Sequence, residues 1–267
     1  MIKVLKVLDL IKIRIFLLPI LMISLWIIMW WSIAIFFDVS EDFLPTPDNV
    51  LARLIRLSHE TIGEGTLIVH IIASLKRFIV GFCYALLIGI PLGFLMGYFK
   101  FFDKIISPIF EAFRPIPPIA WAPFAILWFG ISLGAQSFVI FLTALPPIVI
   151  NSYLAIKLTD KSLIQAARVM GAKPITILLE VALPSAVPLV FVGLRIGLAW
   201  GWMALIAAEI VAADGGNSGL GFLILMGQRT LHADLSIASM IVIGIIGTIL
   251  DLVLRNLNEY FMRWRSS

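Results

Sequence analysis

Long uncharged apolar runs, separated by short polar segments, dominate this chain of 267 residues. A helix of roughly 20 apolar residues crosses the hydrocarbon core of a bilayer. The uncharged stretch 115–156 is too long for one such helix, and the turn-forming sequence GISLGAQ divides it into two. The pattern therefore predicts six membrane-spanning helices. They are residues 15–37, 78–99, 115–130, 136–156, 185–208 and 235–254.

Composition places the whole chain in a membrane. Hydrophobic residues make up 61% of it and charged residues 13%, with a mean hydropathy of +1.07, whereas a soluble domain carries about 25% charged residues. The run 15–37 exceeds the apolar region of a signal peptide, roughly 7–15 residues, and ends in FFDVSEDF. We expect a retained first span and one all-α polytopic transmembrane domain over residues 1–267.

The distribution of basic residues predicts the orientation. With both termini in the cytoplasm, 14 of the 20 Lys and Arg residues fall in cytoplasmic segments, as the positive-inside rule requires. The outer segments carry mostly acids, including Asp38 and Asp214. Lys76 and Arg77 are expected to extend from span two to the outer interface. The outer loop 38–75 contains a predicted amphipathic helix with Pro47 in its first turn and Leu51, Leu54 and Ile55 on its apolar face.

A polar loop, residues 157–184, lies between predicted spans four and five and contains QAARVMGAKPITILLEVALP. Gly171 and Pro174 predict that one helix, Lys161–Met170, ends and a second begins. This spacing resembles the EAA loop of ABC importer permeases, although Gln165 stands where that family usually has Glu. The resemblance implies a coupling helix that docks onto a separate ATPase subunit. The residues that match the motif are Gln165, Ala166, Ala167, Gly171, Leu183 and Pro184.

Further segments are similar to the nitrate, sulfonate, taurine and bicarbonate branch of these permeases. They are RPIPPIAW at 114–121, ILWFGI at 126–131, GLRIGLAWGW at 193–202 and AAE at 207–209. The resemblance implies a MetI-like fold in a bacterial or archaeal cytoplasmic (inner) membrane. It also implies three partners: an ATP-binding subunit, a second copy of the permease in a homodimer, and an extracytoplasmic solute-binding protein. A small anion such as a sulfonate, taurine, nitrate or bicarbonate is expected, but the solute itself is not identified, because similar permeases also carry small aromatic or pyrimidine compounds.

Three residues of predicted span five are candidates for the translocation pathway. Arg195, Trp202 and Glu209 are spaced by seven residues and so share one helix face. Arg195 lies roughly 16 Å along the helix from Pro184, near the bilayer centre, where an arginine costs about 2.5 kcal/mol or more. Two interpretations stay open. Arg195 lines the solute route, or it is tied to backbone carbonyls or to a carboxylate on a neighbouring helix.

Two local patterns concern packing. Gly81, Gly89, Gly93 and Gly97 in span two predict close approach to another helix. The prolines of RPIPP before span three predict either a broken helix near the inner gate or an interfacial turn.

Other function classes fit less well. A secondary transporter without an ATPase is the main alternative, but such folds often contain internal repeats, and the two halves of this sequence are not similar. No Gly-Lys-Ser or Gly-Lys-Thr occurs, so ATP is expected to bind a partner subunit and the chain to hold no cofactor. His59, His70 and His232 lack ligand spacing, and no metal site is predicted. We expect neither catalysis nor nucleic-acid binding.

Overall fold

The computed structural model describes residues 2–37, 40–113, 115–212 and 218–262, and these are almost entirely helical. Three residues named above, Asp38, Arg114 and Asp214, lie outside the described residues. The helices are α1 Ile2–Phe36, α2 Pro47–Leu57, α3 Leu67–Tyr98, α4 Lys100–Phe113, a 3-10 turn Pro118–Trp121, α5 Ala122–Phe129, α6 Leu133–Lys157, α7 Lys161–Val169, α8 Pro174–Thr176, a π-helix Ile177–Ala182, α9 Leu183–Val211, α10 Leu220–Arg229 and α11 Ala233–Phe261.

Among the residues that the structure describes, five stretches are long and apolar enough to cross a membrane. They are Leu17–Phe36, Leu67–Tyr98, Leu133–Lys157, Pro174–Val211 and Ala233–Phe261. An all-α membrane protein is thus confirmed, while the count of six spans and the cytoplasmic termini stay predictions.

Helix α6 is the centre of the packing, and glycines on both neighbouring helices let it approach closely. A Cβ built on Gly93 of α3 would lie 2.5 Å from Ser152 Cβ, and one on Gly193 of α9 would lie 2.6 Å from Asn151 Cβ. Real side-chain atoms essentially never come this close, so both positions require glycine. The predicted close packing of the α3 glycines is confirmed, with α6 as the partner.

The predicted span 115–130 does not form one helix. Instead, α4 and α5 follow one another along α6 and run antiparallel to it. Asp103 Oδ2 lies 3.1 Å from Lys157 Nζ at the end of α6, Phe113 and Pro146 line one cavity near its middle, and the Trp128 and Phe138 rings are 6.0 Å apart near its start. Helix α4, which lies in the segment expected in the cytoplasm, therefore packs beside α6.

The break between α4 and α5 has a chemical cause. Pro115 and Pro117 have no backbone N–H and cannot continue a helix. Irregular backbone at membrane depth is tolerated where it is buried in protein or lines a cavity. Of the two interpretations of RPIPP, the contacts of α4 and α5 favour the broken helix.

Helix α2 forms where it was predicted, and of the three residues of its predicted apolar face only Leu54 packs within the chain. Leu51 and Ile55 are exposed, whereas Val50 and Leu57 are almost fully buried against Leu235 of α11. Arg53 on the same helix lies 3.1 Å from Asp234. These contacts with α11, and not the apolar periodicity of α2, set the position of helix α2.

Candidate functional site

The first half of the loop 157–184 is a short helix with defined caps at both ends. The Asp160 carboxylate accepts a 2.8 Å hydrogen bond from the Ser162 backbone N–H, and this bond holds the pKa of Asp160 below its usual value. The stabilisation of α7 by this N-cap hydrogen bond is therefore fully present at a pH above the ordinary aspartate pKa. It is lost as the pH falls through the lowered pKa of Asp160.

The end of α7 confirms the prediction that Gly171 stops this helix. Its φ is +83°, and the N–H groups of Gly171 and Ala172 donate 3.0 Å hydrogen bonds to the carbonyls of Arg168 and Ala167. This pair of bonds is the Schellman motif, in which glycine is preferred because its conformation is left-handed. Helix α7 ends at Val169, one residue before the predicted end.

Most of the motif residues on α7 face outward. Gln165 and Ala166 are exposed, while Ala167 is buried. The tip of the helix is apolar and more exposed still, with Val169 at 89% and Met170 at 80%. An apolar tip outside the membrane-spanning helices costs free energy in water, so it is suited to cover by another protein.

The second half of the loop is continuous with α9. The helix begins at Pro174, and Leu183 and Pro184 lie within it rather than at the start of a separate span. The turn Ile177–Ala182 is a π-helix. Pro184 cannot donate to residue 180, so the normal α-helical ladder is interrupted there. The stretch Pro174–Val211 is therefore one helical segment that contains a π-helical turn.

Helix α9 carries the three predicted pathway residues, but the structure does not bring them to one surface. Arg195 is about half exposed and makes a bidentate ion pair with Asp251 of α11, at 2.9 and 3.0 Å. Trp202 is buried, and its Nε1 donates to the Ile243 carbonyl at 3.2 Å. Glu209 is 3% exposed.

Glu209 is the centre of a buried polar cluster between α3, α9 and the start of α10. Its carboxylate accepts hydrogen bonds from Ser74 Oγ at 2.7 Å, from Arg77 Nη1 at 2.9 Å and from the Gly221 backbone N–H at 2.9 Å. A carboxylate here also interacts favourably with the N-terminal dipole of α10. Arg77 is thus buried in this cluster, and the predicted position at the outer interface is wrong.

His70 and Ser74 extend the same cluster along α3. His70 Nδ1 accepts from the Gly219 N–H at 2.9 Å, which leaves Nε2 to donate to the Ile62 carbonyl at 2.9 Å. The Leu220 N–H donates to Ser74 Oγ. His70, Ser74 and Arg77 are spaced four and three residues apart on a mostly apolar helix. That spacing is the sequence signal that could have identified them.

An aromatic cavity of about 380 Å³ lies beside the break between α4 and α5. Helices α4, α5, α6 and α9 all contribute to its wall, and Trp121, Trp128 and Trp200 line it together with Thr143. The irregular backbone between α4 and α5 thus borders a space between helices, which is where such backbone is tolerated in membrane proteins.

Comparisons with known proteins agree with this architecture. Residues 89–267 match the family described as binding-protein-dependent transport system inner membrane component. The chain is 38% identical over 242 residues to an ABC transporter permease protein of Methanocaldococcus jannaschii, covering 91% of this chain and 90% of that one. It is 36% identical to the taurine transport system permease protein TauC of Escherichia coli, covering 88% and 85%.

A nitrate import permease protein, NrtB of Synechocystis, is 36% identical over 213 residues, covering 78% of this chain and 76% of that one. Among solved structures, the inward-facing MetNI methionine ABC transporter superposes with a TM-score of 0.61 at 23% identity. It covers 73% of this chain and 95% of that one. This chain therefore belongs to the binding-protein-dependent inner membrane components, as a multi-pass ABC importer permease and not an enzyme.

Proposed function

We propose that two copies of this chain form the translocation pathway for a small anionic solute. A separate ATP-binding subunit docks on the loop 157–184, and an extracytoplasmic solute-binding protein delivers the solute. Relatives named for taurine, nitrate and bicarbonate transport support this solute class, since all three solutes carry an oxyanion group. Membership of an ABC importer family argues against a secondary transporter without an ATPase.

The observation that carries this proposal is the construction of the loop. An exposed apolar tip at Val169 and Met170 is held by the cap at Gly171, and the chain then enters one helix that runs from Pro174 to Val211. When the ATP-binding subunits close, they draw the α7 helices together. The continuous helix transmits that movement to α9, and the pathway changes the side of the membrane to which it opens.

Gly171→Val tests the coupling role. No atom lies within 4 Å of a Cβ built at this position, so valine causes no clash and acts only through the backbone. A left-handed conformation costs an L-residue roughly 1–2 kcal/mol, which corresponds to a factor of about 5–30 in an equilibrium. We expect solute-stimulated ATP hydrolysis by the reconstituted complex to fall at least fivefold, measured with taurine, nitrate and bicarbonate in turn.

Gly171→Asn is the matched control, because asparagine tolerates this conformation at helix ends. It should retain most of the stimulation. Wild-type stimulation in Gly171→Val would contradict transmission through this loop.

The pathway role of Arg195, Trp202 and Glu209 stays a prediction, and the contacts now distinguish among the three. Glu209 and Trp202 are buried and hydrogen-bonded within the chain, which favours a packing role for both. Arg195 is half exposed, but its guanidinium is paired with Asp251. A paired guanidinium attracts an anion less strongly than a free one, so the ion pair itself has to be tested.

Arg195→Gln is expected to reduce uptake because it leaves the Asp251 carboxylate without its partner on a membrane-embedded face. If the ion pair is the essential feature, Arg195→Gln with Asp251→Asn will recover most of the uptake, since both charges are then removed. If Arg195 contacts the solute, the double variant will stay as impaired as the single one. Uptake into proteoliposomes, normalised to the amount of complex, distinguishes an essential ion pair from direct contact with the solute.

A further inference from the structure

A basic pocket of about 520 Å³ lies where the membrane-spanning helices meet the loop 157–184. It is bounded by the end of α3, the start of α4, the end of α6, helix α7 and the turn before α9. Its charged residues are Lys100, Lys157, Lys161, Arg168 and Asp103. Four cations therefore face one carboxylate.

The carboxylate that lines the pocket, that of Asp103, already has hydrogen-bond and ion-pair partners. Asp103 accepts from Lys157 Nζ and from Tyr153 at 3.1 Å each. Within the described residues, Lys100, Lys161 and Arg168 have no ion-pair partner. The nearby Asp160 caps the Ser162 N–H instead of lining the pocket. Three like charges around one space repel each other, and a bound anion would relieve that repulsion.

The pocket lies on the side of α7 that faces away from Leu163, Ala166 and Met170, and Gln165 lies at its edge. Lys161, Ile164 and Arg168 line the pocket, whereas Leu163, Ala166 and Met170 are exposed to solvent. The second set is offset from the first by two residues, which is about 200° around a helix. A subunit docked on the face of Leu163, Ala166 and Met170 would therefore leave the pocket open.

The surroundings are those of a membrane boundary. Phe99 and Phe101, on either side of Lys100, are 43% and 68% exposed, and Ile175 beside Pro174 is 58% exposed. Exposed apolar side chains beside the pocket are suited to contact acyl chains, while the cations of the pocket are suited to a headgroup. Basic pockets between membrane helices are known to bind the headgroups of anionic lipids.

We propose that this pocket binds the phosphate of one anionic phospholipid per chain and so ties α7 to the ends of α3, α4 and α6. This inference goes beyond the proposed function, because it concerns a lipid ligand and not the transported solute. A lipid held there would restrict how far α7 can move when the ATP-binding subunit closes.

The test uses the purified complex of permease and ATP-binding subunit in detergent. It is titrated with dioleoyl phosphatidylglycerol or with dioleoyl phosphatidylcholine, and bound lipids are counted by native mass spectrometry. We expect one tightly bound phosphatidylglycerol per permease chain and no equivalent phosphatidylcholine. Lys100→Gln should weaken binding roughly fivefold, and Lys100→Gln with Lys161→Gln roughly 30-fold.

Lys104→Gln is the matched control. Lys104 is exposed on the same helix one turn later and does not line the pocket, so its replacement should leave lipid binding unchanged. Equal losses in Lys100→Gln and Lys104→Gln would mean general surface attraction and would overturn the proposal.

Two further outcomes would also overturn it. Displacement of the lipid by equimolar inorganic phosphate would identify a site for a free anion. If the isolated permease binds the lipid but the assembled complex does not, an acidic group of the ATP-binding subunit fills the pocket. Because lipid counting requires no transport, its failure is distinguishable from the loss of solute-stimulated hydrolysis that tests the proposed function.

Discussion

Arg77→Met should destabilise this permease by about 3–5 kcal/mol, because it leaves the Glu209 carboxylate buried without its cationic partner. Glu209 is 3% exposed and Arg77 is 6% exposed, so water cannot replace the lost contact. The cluster also receives the Gly221 and Leu220 N–H groups. We therefore expect the start of α10 to separate from α3 and α9. Thermal unfolding of the purified protein in detergent measures the loss.

Lys76→Met is the matched control for this experiment. It removes the same charge one residue earlier, from an exposed position, and should change the free energy of unfolding by no more than about 0.5 kcal/mol. Arg77→Met with Glu209→Gln should recover much of the stability, since the glutamine side chain is neutral and its amide oxygen can still accept from Gly221. Equal unfolding temperatures for Arg77→Met and Lys76→Met would show that the ion pair contributes nothing.

Gly93→Leu should prevent α3 from packing on α6. A Cβ at this position would lie 2.5 Å from Ser152 Cβ and 2.6 Å from the Val149 carbonyl oxygen. The second atom belongs to the backbone and cannot rotate away, so the two helices must separate. Overpacking of a close-packed core costs about 1–3 kcal/mol even where side chains can adjust. We expect the amount of folded protein in the membrane to fall severalfold, as measured by quantitative blotting and size-exclusion chromatography.

Gly244→Leu on α11 is the control for side-chain size. Nothing in the described structure lies within 4 Å of a Cβ at Gly244, so leucine is accommodated there within one chain. Normal amounts of Gly93→Leu protein with an unchanged elution volume would contradict the packing of α3 on α6.

These contacts suggest how the molecule divides into moving and rigid parts. Helices α3, α6 and α9 pack through glycines at van der Waals distance, and Glu209 joins α9 to α3 and α10. Close-packed units shift as bodies rather than deform. The loop 157–184 is attached to this unit through the continuous helix Pro174–Val211. Movement at α7 is therefore expected to rotate α9 together with its packed neighbours.

The sequence by itself determined the features that depend on local chemistry. Apolar length requires a bilayer whatever the tertiary structure, so the all-α membrane class could be predicted. The left-handed conformation of Gly171 follows from a glycine at a helix end before Pro174. The glycine spacing of α3 predicted a close helix neighbour, because small residues let the backbones of two helices approach each other closely. The loop motif and the family resemblance rest on the same local spacing.

Only the tertiary structure decided which polar groups meet and which faces are buried. Arg77 and Glu209 are 132 residues apart in the chain, and Arg195 and Asp251 are 56 apart. Their pairing depends on how each helix is rotated and shifted against its neighbours. In a membrane, the lipid-facing and the packed sides of a helix are both apolar, so periodicity does not identify the buried side. Arg77 was therefore misplaced from sequence, and residues 115–130 were predicted as one helix although they contain a 3-10 turn and the short helix α5.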